Sequence, residues 1–86
     1  MSNLFSKMTL EEAKANEYWD AIDVTKQEDG GLRVEFKLAG VLEVDAATLS
    51  KEPDKPKKVA LLMRRRAALD FDEIEIVARH KVERAL

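Results

Sequence analysis

The amino-acid sequence predicts a small α+β domain with an N-terminal helix, an antiparallel β-hairpin or three-stranded meander, and two C-terminal helices. Apolar residues alternate with charged ones in the middle of the chain but recur at helical spacing near its end. Residues that cap helices precede each segment expected to be helical. The 86 residues, 45% of them hydrophobic, suffice for one core, so we expect residues 1–86 to form a single domain.

The N-terminal region is predicted to contain an arm followed by a helix. Residues 1–8 form the arm, which we expect to dock on the domain. Thr9 and Glu12 have the spacing of a capping box, in which each side chain accepts a hydrogen bond from the other residue's backbone. A helix over residues 10–19 is therefore expected.

The clearest pattern is strict alternation of apolar and charged residues over residues 32–38, which predicts a strand with one buried face. Residues 21–26 can form a strand before it, and the glycine-rich segment 27–31 supplies a hairpin turn. After Gly40, alternation continues over residues 41–45 as a possible third strand.

Residues 50–56 are predicted to form a loop, because they contain two prolines and no apolar run. A helix follows, capped by Asp54, with Pro56 in its first turn, and ends near Ala68. The apolar run 59–63 could equally be a buried strand. The abundance of Ala, Leu, Met, Arg and Lys favours the helix.

The last segment is predicted to be a helix capped by Asp70, with acids near its start and bases near its end. Its apolar residues at helical spacing are Phe71, Ile74, Ala78, Val82 and Ala85. A strand over residues 73–79 is the alternative. The cap and the order of the charges favour the helix.

Composition excludes several kinds of chemistry. The chain has no cysteine, which removes disulfides, thiolate nucleophiles and cysteine-bound metal centres. No segment approaches about 18 apolar residues, so we expect no membrane association. The absence of cysteine and of such a segment leads us to expect a cytoplasmic protein.

No catalytic or metal-binding pattern is recognisable. His80, the single histidine, is predicted on the exposed polar face of the last helix, without a nucleophile beside it. The acids of residues 70–75 match no calcium loop and are explained by the start of a helix. The glycines match no phosphate-binding loop. We therefore expect no enzyme activity, no metal and no cofactor.

The charges are sorted along the chain. Residues 1–50 carry five Lys/Arg and ten Asp/Glu, whereas residues 51–86 carry ten and seven, so the two parts sum to −5 and +3. Such asymmetry hints at a nucleic acid or an oppositely charged protein partner. The helix-end acids and bases explain part of it. The acidic surplus over residues 11–29 and the arginine triplet 64–66 are not explained in this way.

These remaining groups supply the candidate partner-binding residues. They are Glu11, Glu12, Tyr18, Trp19, Asp20, Arg64, Arg65 and Arg66. Exposed aromatic side chains such as Tyr18 and Trp19 are typical interface hot spots, but in a chain with a single tryptophan core packing is the favoured interpretation. Three successive helical arginines span about 200°, so they cannot all face one partner. A solvated helix end is the alternative for them.

In its small size, lack of cysteine, capped helices and segregated charge, the chain is similar in kind to short accessory proteins of phages and mobile elements, which bind a larger host or virion protein. The resemblance assigns no role to any residue, and it implies a location in the host cytoplasm or in association with the virion. We predict a non-enzymatic interaction module that acts as a regulator, an inhibitor or an assembly factor. One alternative is a nucleic-acid-associated protein using residues 55–66.

The other alternative is a homo-oligomeric structural subunit. Its contacts between copies would be Phe71, Ile74, Val82 and Leu86, with Ile76 facing outward as a second contact.

Overall fold

The structure, a computed structural model, describes residues 8–37 and 40–86 and confirms the predicted α+β class. Its elements in chain order are α1 (Leu10–Lys14), β1 (Ile22–Lys26), β2 (Leu32–Phe36), β3 (Gly40–Val44), α2 (Ala46–Ser50), α3 (Lys55–Ala67) and α4 (Phe71–Ala85). The three strands form one antiparallel sheet in the order β1–β2–β3, which is the predicted meander. Apart from Met8, the predicted arm lies outside the described residues, as does Leu38.

The sheet has one buried and one polar face, as the alternation predicts. Val34 of β2 lies opposite Val24 of β1 and Leu42 of β3, so the apolar residues of the three strands share a face. On the other face, Arg33 lies 3.5 Å from Glu35 and 3.6 Å from Glu43.

The turn between β1 and β2 requires glycine at two positions. Gly30 has a φ of +94°, in the left-handed region. A Cβ at Gly31 would lie 2.5 Å from the carbonyl oxygen of Val44, closer than two such atoms can approach. The predicted hairpin turn is thereby explained by backbone geometry.

Helices α3 and α4 cover the buried face of the sheet and complete the core. The core residues that they contribute are Val59, Ala60, Met63, Ile74, Ala78 and Val82. Helix α4 packs against β1, and α3 lies nearer β3. This confirms that both segments are helices rather than strands. None of the helices in the described part of the chain is long and apolar enough to cross a membrane.

The burial of α4 contradicts part of the expected oligomer contact. Ile74 and Val82 are fully buried within one chain. Ile76, expected to face outward, is only 3% exposed, so that prediction is wrong. On a helix it projects well away from Ile74 and Val82, and it is not part of the core cluster. The sequence pattern reveals only one apolar face of α4, whereas the fold covers two.

The first helix begins where predicted but is shorter than the expected span of residues 10–19, because α1 ends at Lys14. The capping box is present, with the Glu12 backbone N–H donating to Thr9 Oγ1 and the Thr9 backbone N–H donating to Glu12 Oε1. Beyond α1, the side chain of Asn16 accepts a hydrogen bond from the Tyr18 backbone at 2.8 Å. Asparagine competes in this way with helical hydrogen bonding, so the chain turns.

The loop expected over residues 50–56 is shorter than predicted. The unpredicted helix α2 includes Ser50, and α3 already begins at Lys55. Asp45 caps α2 by accepting from the Thr48 backbone at 2.8 Å, a signal that the sequence contained. Hydrogen bonding by the Thr48 side chain and, to a smaller extent, by the Thr48 backbone N–H lowers the pKa of the Asp45 carboxyl group.

The caps predicted for α3 and α4 are confirmed. Asp54 accepts from the Lys57 backbone, and Asp70 accepts from the Glu73 backbone, each at 3.2 Å. Ala68 ends α3 with a φ of +56°, in the left-handed region. The turn from Ala68 to Asp70 then directs α4 back along α3.

Candidate protein-interaction surface

The eight predicted contact residues do not meet in one place. Glu11 and Glu12 are exposed on the first turn of α1, and Asp20 is exposed before β1. The backbone N–H of Thr9 donates to Glu12 and is the main cause that lowers the pKa of this carboxyl group. Part of the acidic surplus therefore serves local structure.

Trp19 lies at a corner where the segment before β1 meets α4. The Lys81 ammonium donates hydrogen bonds to the carbonyl oxygens of Trp19 and Ile22 and lies 4.6 Å from the centroid of the indole ring. Burial lowers the pKa of Lys81, while Asp23 and Asp20 act in the opposite direction. The corner also forms one side of a groove of about 360 Å³, further lined by Asp23, Val24, Arg84 and Ala85.

The two residues before Lys81 also bind within the chain. Arg79 Nη2 lies 2.9 Å from Glu75 and 3.3 Å from Asp54, which joins α4 to the cap of α3. Burial disfavours the charge of Arg79, but its hydrogen bonds to both carboxylates and their negative charges outweigh this effect and raise the pKa of Arg79. His80, expected to be exposed, is half-buried, and its Nε2 lies 3.0 Å from the carbonyl oxygen of Met8.

Tyr18 lines a second groove, which is largely apolar and which we call the Tyr18 groove. Its volume is about 610 Å³. The other lining residues are Glu17, Ala21, Ile22, Phe36, Lys37, Ala67 and Leu69. The groove therefore lies between the segment before β1, the ends of β1 and β2, and the turn that follows α3.

Helix α3 presents a basic surface on the side away from the core. Lys57, Lys58, Leu61, Arg64 and Arg65 project within about 120° of one another on a helix of 3.6 residues per turn. We call these five residues the α3 cationic face. The buried residues of α3 project on the opposite side, and they are Pro56, Val59, Ala60 and Met63. The same periodicity that builds the core therefore leaves Lys57, Arg64 and Arg65 exposed and Lys58 and Leu61 half-buried.

The arginine triplet divides as the helical spacing predicts. Arg64 and Arg65 belong to the α3 cationic face, and the Arg64 guanidinium lies 5.9 Å from the centroid of the Phe71 ring. Arg66 is exposed on another side of α3, where its guanidinium lies beside Gly40 at the start of β3.

Leu69 connects the two surfaces. It lines the Tyr18 groove and also a groove of about 500 Å³ that Leu61, Arg64, Arg65 and Ala68 complete. Within residues 8–37 and 40–86, the salt bridges involve only Arg33 and Arg79 among the basic residues. The cations of the α3 cationic face therefore have no acidic partner in the described fold. We call the Tyr18 groove and the α3 cationic face together the interaction surface.

Sequence reasoning found Tyr18, Arg64 and Arg65 in this surface but missed Leu61 and Leu69. The alignment of two lysines with two arginines was detectable, because positions seven residues apart lie on the same side of a helix. The proximity of Leu69 to Tyr18 could not be detected in the sequence, because it depends on how distant segments pack.

In the part of the chain that the structure describes, no group of three or more His, Asp or Glu side chains is arranged to hold a metal ion. No protein-family model, curated protein or solved structure matches the chain. Inference about function therefore rests on the chemistry of the interaction surface.

Proposed function

We propose that the protein is a non-enzymatic interaction module that binds a larger protein through the interaction surface. It acts as a small regulator, inhibitor or assembly factor of the phage or mobile-element type. The observation that carries the proposal is that Leu69 lines both the apolar Tyr18 groove and the groove beside Arg64 and Arg65. An apolar groove therefore adjoins the four cations of the α3 cationic face, which have no acidic partner in the described fold.

Such an arrangement has the general composition of a protein interface. Interfaces bury apolar anchors at their centre and place polar groups at the rim, and Tyr and Arg are frequent hot spots. The Tyr18 groove, at about 610 Å³, has room for large side chains of a partner. Trp19, Glu11, Glu12 and Asp20 lie outside this surface, so the proposal does not depend on them.

The alternative of a nucleic-acid-associated protein draws on the same basic segment, residues 55–66. Four cations along one side of α3 support it, because phosphate contacts need basic side chains. Two features favour the protein partner. Leu61 lies among these cations, and the chain as a whole has a net charge of −2.

Affinity capture from cells that express the protein tests the proposal. After nuclease treatment, the wild-type protein is expected to retain one protein in stoichiometric amount. Lys37→Trp, which fills the Tyr18 groove from an exposed position, and Leu69→Ser, which removes the apolar side chain that lines both grooves, are expected to lose it. Leu86→Ser changes an exposed leucine away from the surface and is the matched control.

Circular dichroism must first show that each variant is folded. Lys37→Trp removes no core contact, so it keeps the test valid if Leu69→Ser unfolds. The proposal is contradicted if no protein is retained, or if the folded Lys37→Trp variant retains the partner as well as the wild type does.

A further inference from the structure

The α3 cationic face has a regular spacing along the helix. Lys57 and Arg64 are seven residues apart, as are Lys58 and Arg65, which corresponds to about 10.5 Å at 1.5 Å per residue. Leu61 lies between the two cationic pairs and, unlike Leu62, does not pack against the core cluster. The face therefore presents positive charge, then an apolar side chain, then positive charge.

This order matches the repeat of another helix more closely than that of a strand. On a helix, residues seven apart lie on one side, again about 10.5 Å apart, with a residue three or four positions on between them. Same-face residues of a strand lie about 6.6 or 13 Å apart. A strand would place a carboxylate beside one cationic pair but not beside both.

One arginine of the α3 cationic face, Arg64, has restricted conformational freedom. Arg64 lies over the Phe71 ring, at 5.9 Å from its centroid, so part of its conformational freedom is already lost in the free protein. A side chain ordered before binding costs less entropy when it pairs with a carboxylate. Leu61 would have no complementary group on a phosphate backbone, which disfavours a nucleic acid as the occupant.

We infer that the partner segment recognised by the α3 cationic face is an acidic amphipathic helix. One of its apolar side chains packs on Leu61, and carboxylates three or four residues to either side pair with the lysines and the arginines. Its next turn extends past Arg64 and Arg65 towards Leu69 and the Tyr18 groove. This inference rests on the proposed function and specifies the chemistry of the partner.

Fluorescence anisotropy with a synthetic peptide tests the inference. The probe is a fluorescein-labelled, alanine-based helical peptide of about 20 residues. It has a leucine at every seventh position and glutamates three and four residues to either side of each leucine. We expect it to bind the wild-type protein with an affinity that falls as salt is added. A second peptide with glutamine in place of every glutamate is expected to bind at least about tenfold more weakly.

Protein variants locate the bound peptide. Arg64→Glu with Arg65→Glu is expected to weaken binding at least about tenfold, and Leu61→Ser to weaken it severalfold. Lys14→Glu with Lys26→Glu changes the net charge equally at exposed positions elsewhere and is expected to leave binding nearly unchanged.

The inference is overturned if the acidic peptide does not bind, if the glutamine peptide binds equally well, or if both double variants weaken binding equally. It is also overturned if single-stranded DNA, or a second copy of this chain, displaces the peptide at lower concentration than unlabelled peptide does. If the peptide fails while capture of a cellular protein still depends on Lys37 and Leu69, the proposed function remains and only the acidic helix is wrong.

Discussion

Two basic triplets on neighbouring helices have opposite surroundings in this protein. On α4, Arg79 binds two carboxylates, His80 binds a carbonyl oxygen, and Lys81 binds two more. On α3, the residues of the triplet 64–66 are all exposed. The arginines there have no salt bridge within the described residues.

The difference follows from the position of each helix in the fold. Helix α4 contacts α3, β1 and α1, so basic residues on its flanks meet backbone and carboxylate oxygens. The outer side of α3 has no further layer in the described structure. A basic triplet in a helix is therefore no evidence of a binding surface until the groups around it are known.

Among substitutions of these basic residues, the largest effect on stability is expected at Lys81. Lys81→Met keeps the aliphatic chain but leaves two carbonyl oxygens without their donor. We expect a loss of about 2 kcal/mol in the free energy of unfolding, since hydrogen bonds to charged groups are each worth roughly 1.5–3 kcal/mol. The expected loss is smaller than the sum for two such bonds, because Lys81 is half-exposed and its ammonium loses hydration in the fold. Urea denaturation followed by the emission of the single tryptophan, Trp19, measures it.

Arg84→Met is the matched control for this prediction. Arg84 also lines the groove beside Trp19, but it is exposed and has no salt bridge among the described residues. Its replacement is expected to change stability by less than about 0.5 kcal/mol. Equal stabilities of the two variants would show that Lys81 does not hold the corner together.

Those parts of the fold that depend on local signals could be predicted from the sequence. Alternation over 32–38 indicated β2, and the caps Asp54 and Asp70 indicated the starts of α3 and α4. The early end of α1 was not predicted, because a capping box starts a helix without fixing its length. The cap at Asp45 was detectable but was missed.

The candidate surface was less predictable than the fold, because its contacts join distant segments. Lys81 binds the carbonyl of a residue 62 positions away, and Arg79 binds a carboxylate 25 positions away. Arg79 has one local signal, because Glu75 lies four residues before it on the same helix. Nothing local distinguishes Lys81 from Arg64 and Arg65, and only the packing of the helices separates them.

A smaller effect is expected at Ala68, which ends α3 and borders the α3 cationic face. Its φ of +56° is unfavourable for alanine but not for glycine. Ala68→Gly is therefore expected to raise the free energy of unfolding by about 0.5–1 kcal/mol without altering any charge. Thermal unfolding of this variant beside Ala67→Gly, which lies inside the helix and is expected to destabilise, measures the effect. Destabilisation by both would contradict the left-handed cap.

The smallest effect on stability is expected where the effect on binding is largest. The central claim is that the cations of the α3 cationic face serve a partner rather than the fold. Replacing all four with glutamine removes lysines that are unfavourable near the N-terminus of α3 and arginines that are favourable near its C-terminus, so the two contributions oppose each other.

Urea denaturation of this fourfold glutamine variant is the most direct test of the claim. The free energy of unfolding is expected to stay within about 0.5 kcal/mol of the wild-type value, including the loss of the exposed Arg64–Phe71 cation–π contact, which is worth about 0.5 kcal/mol. A loss of more than about 2 kcal/mol would show that the fold itself depends on these cations and would contradict the claim.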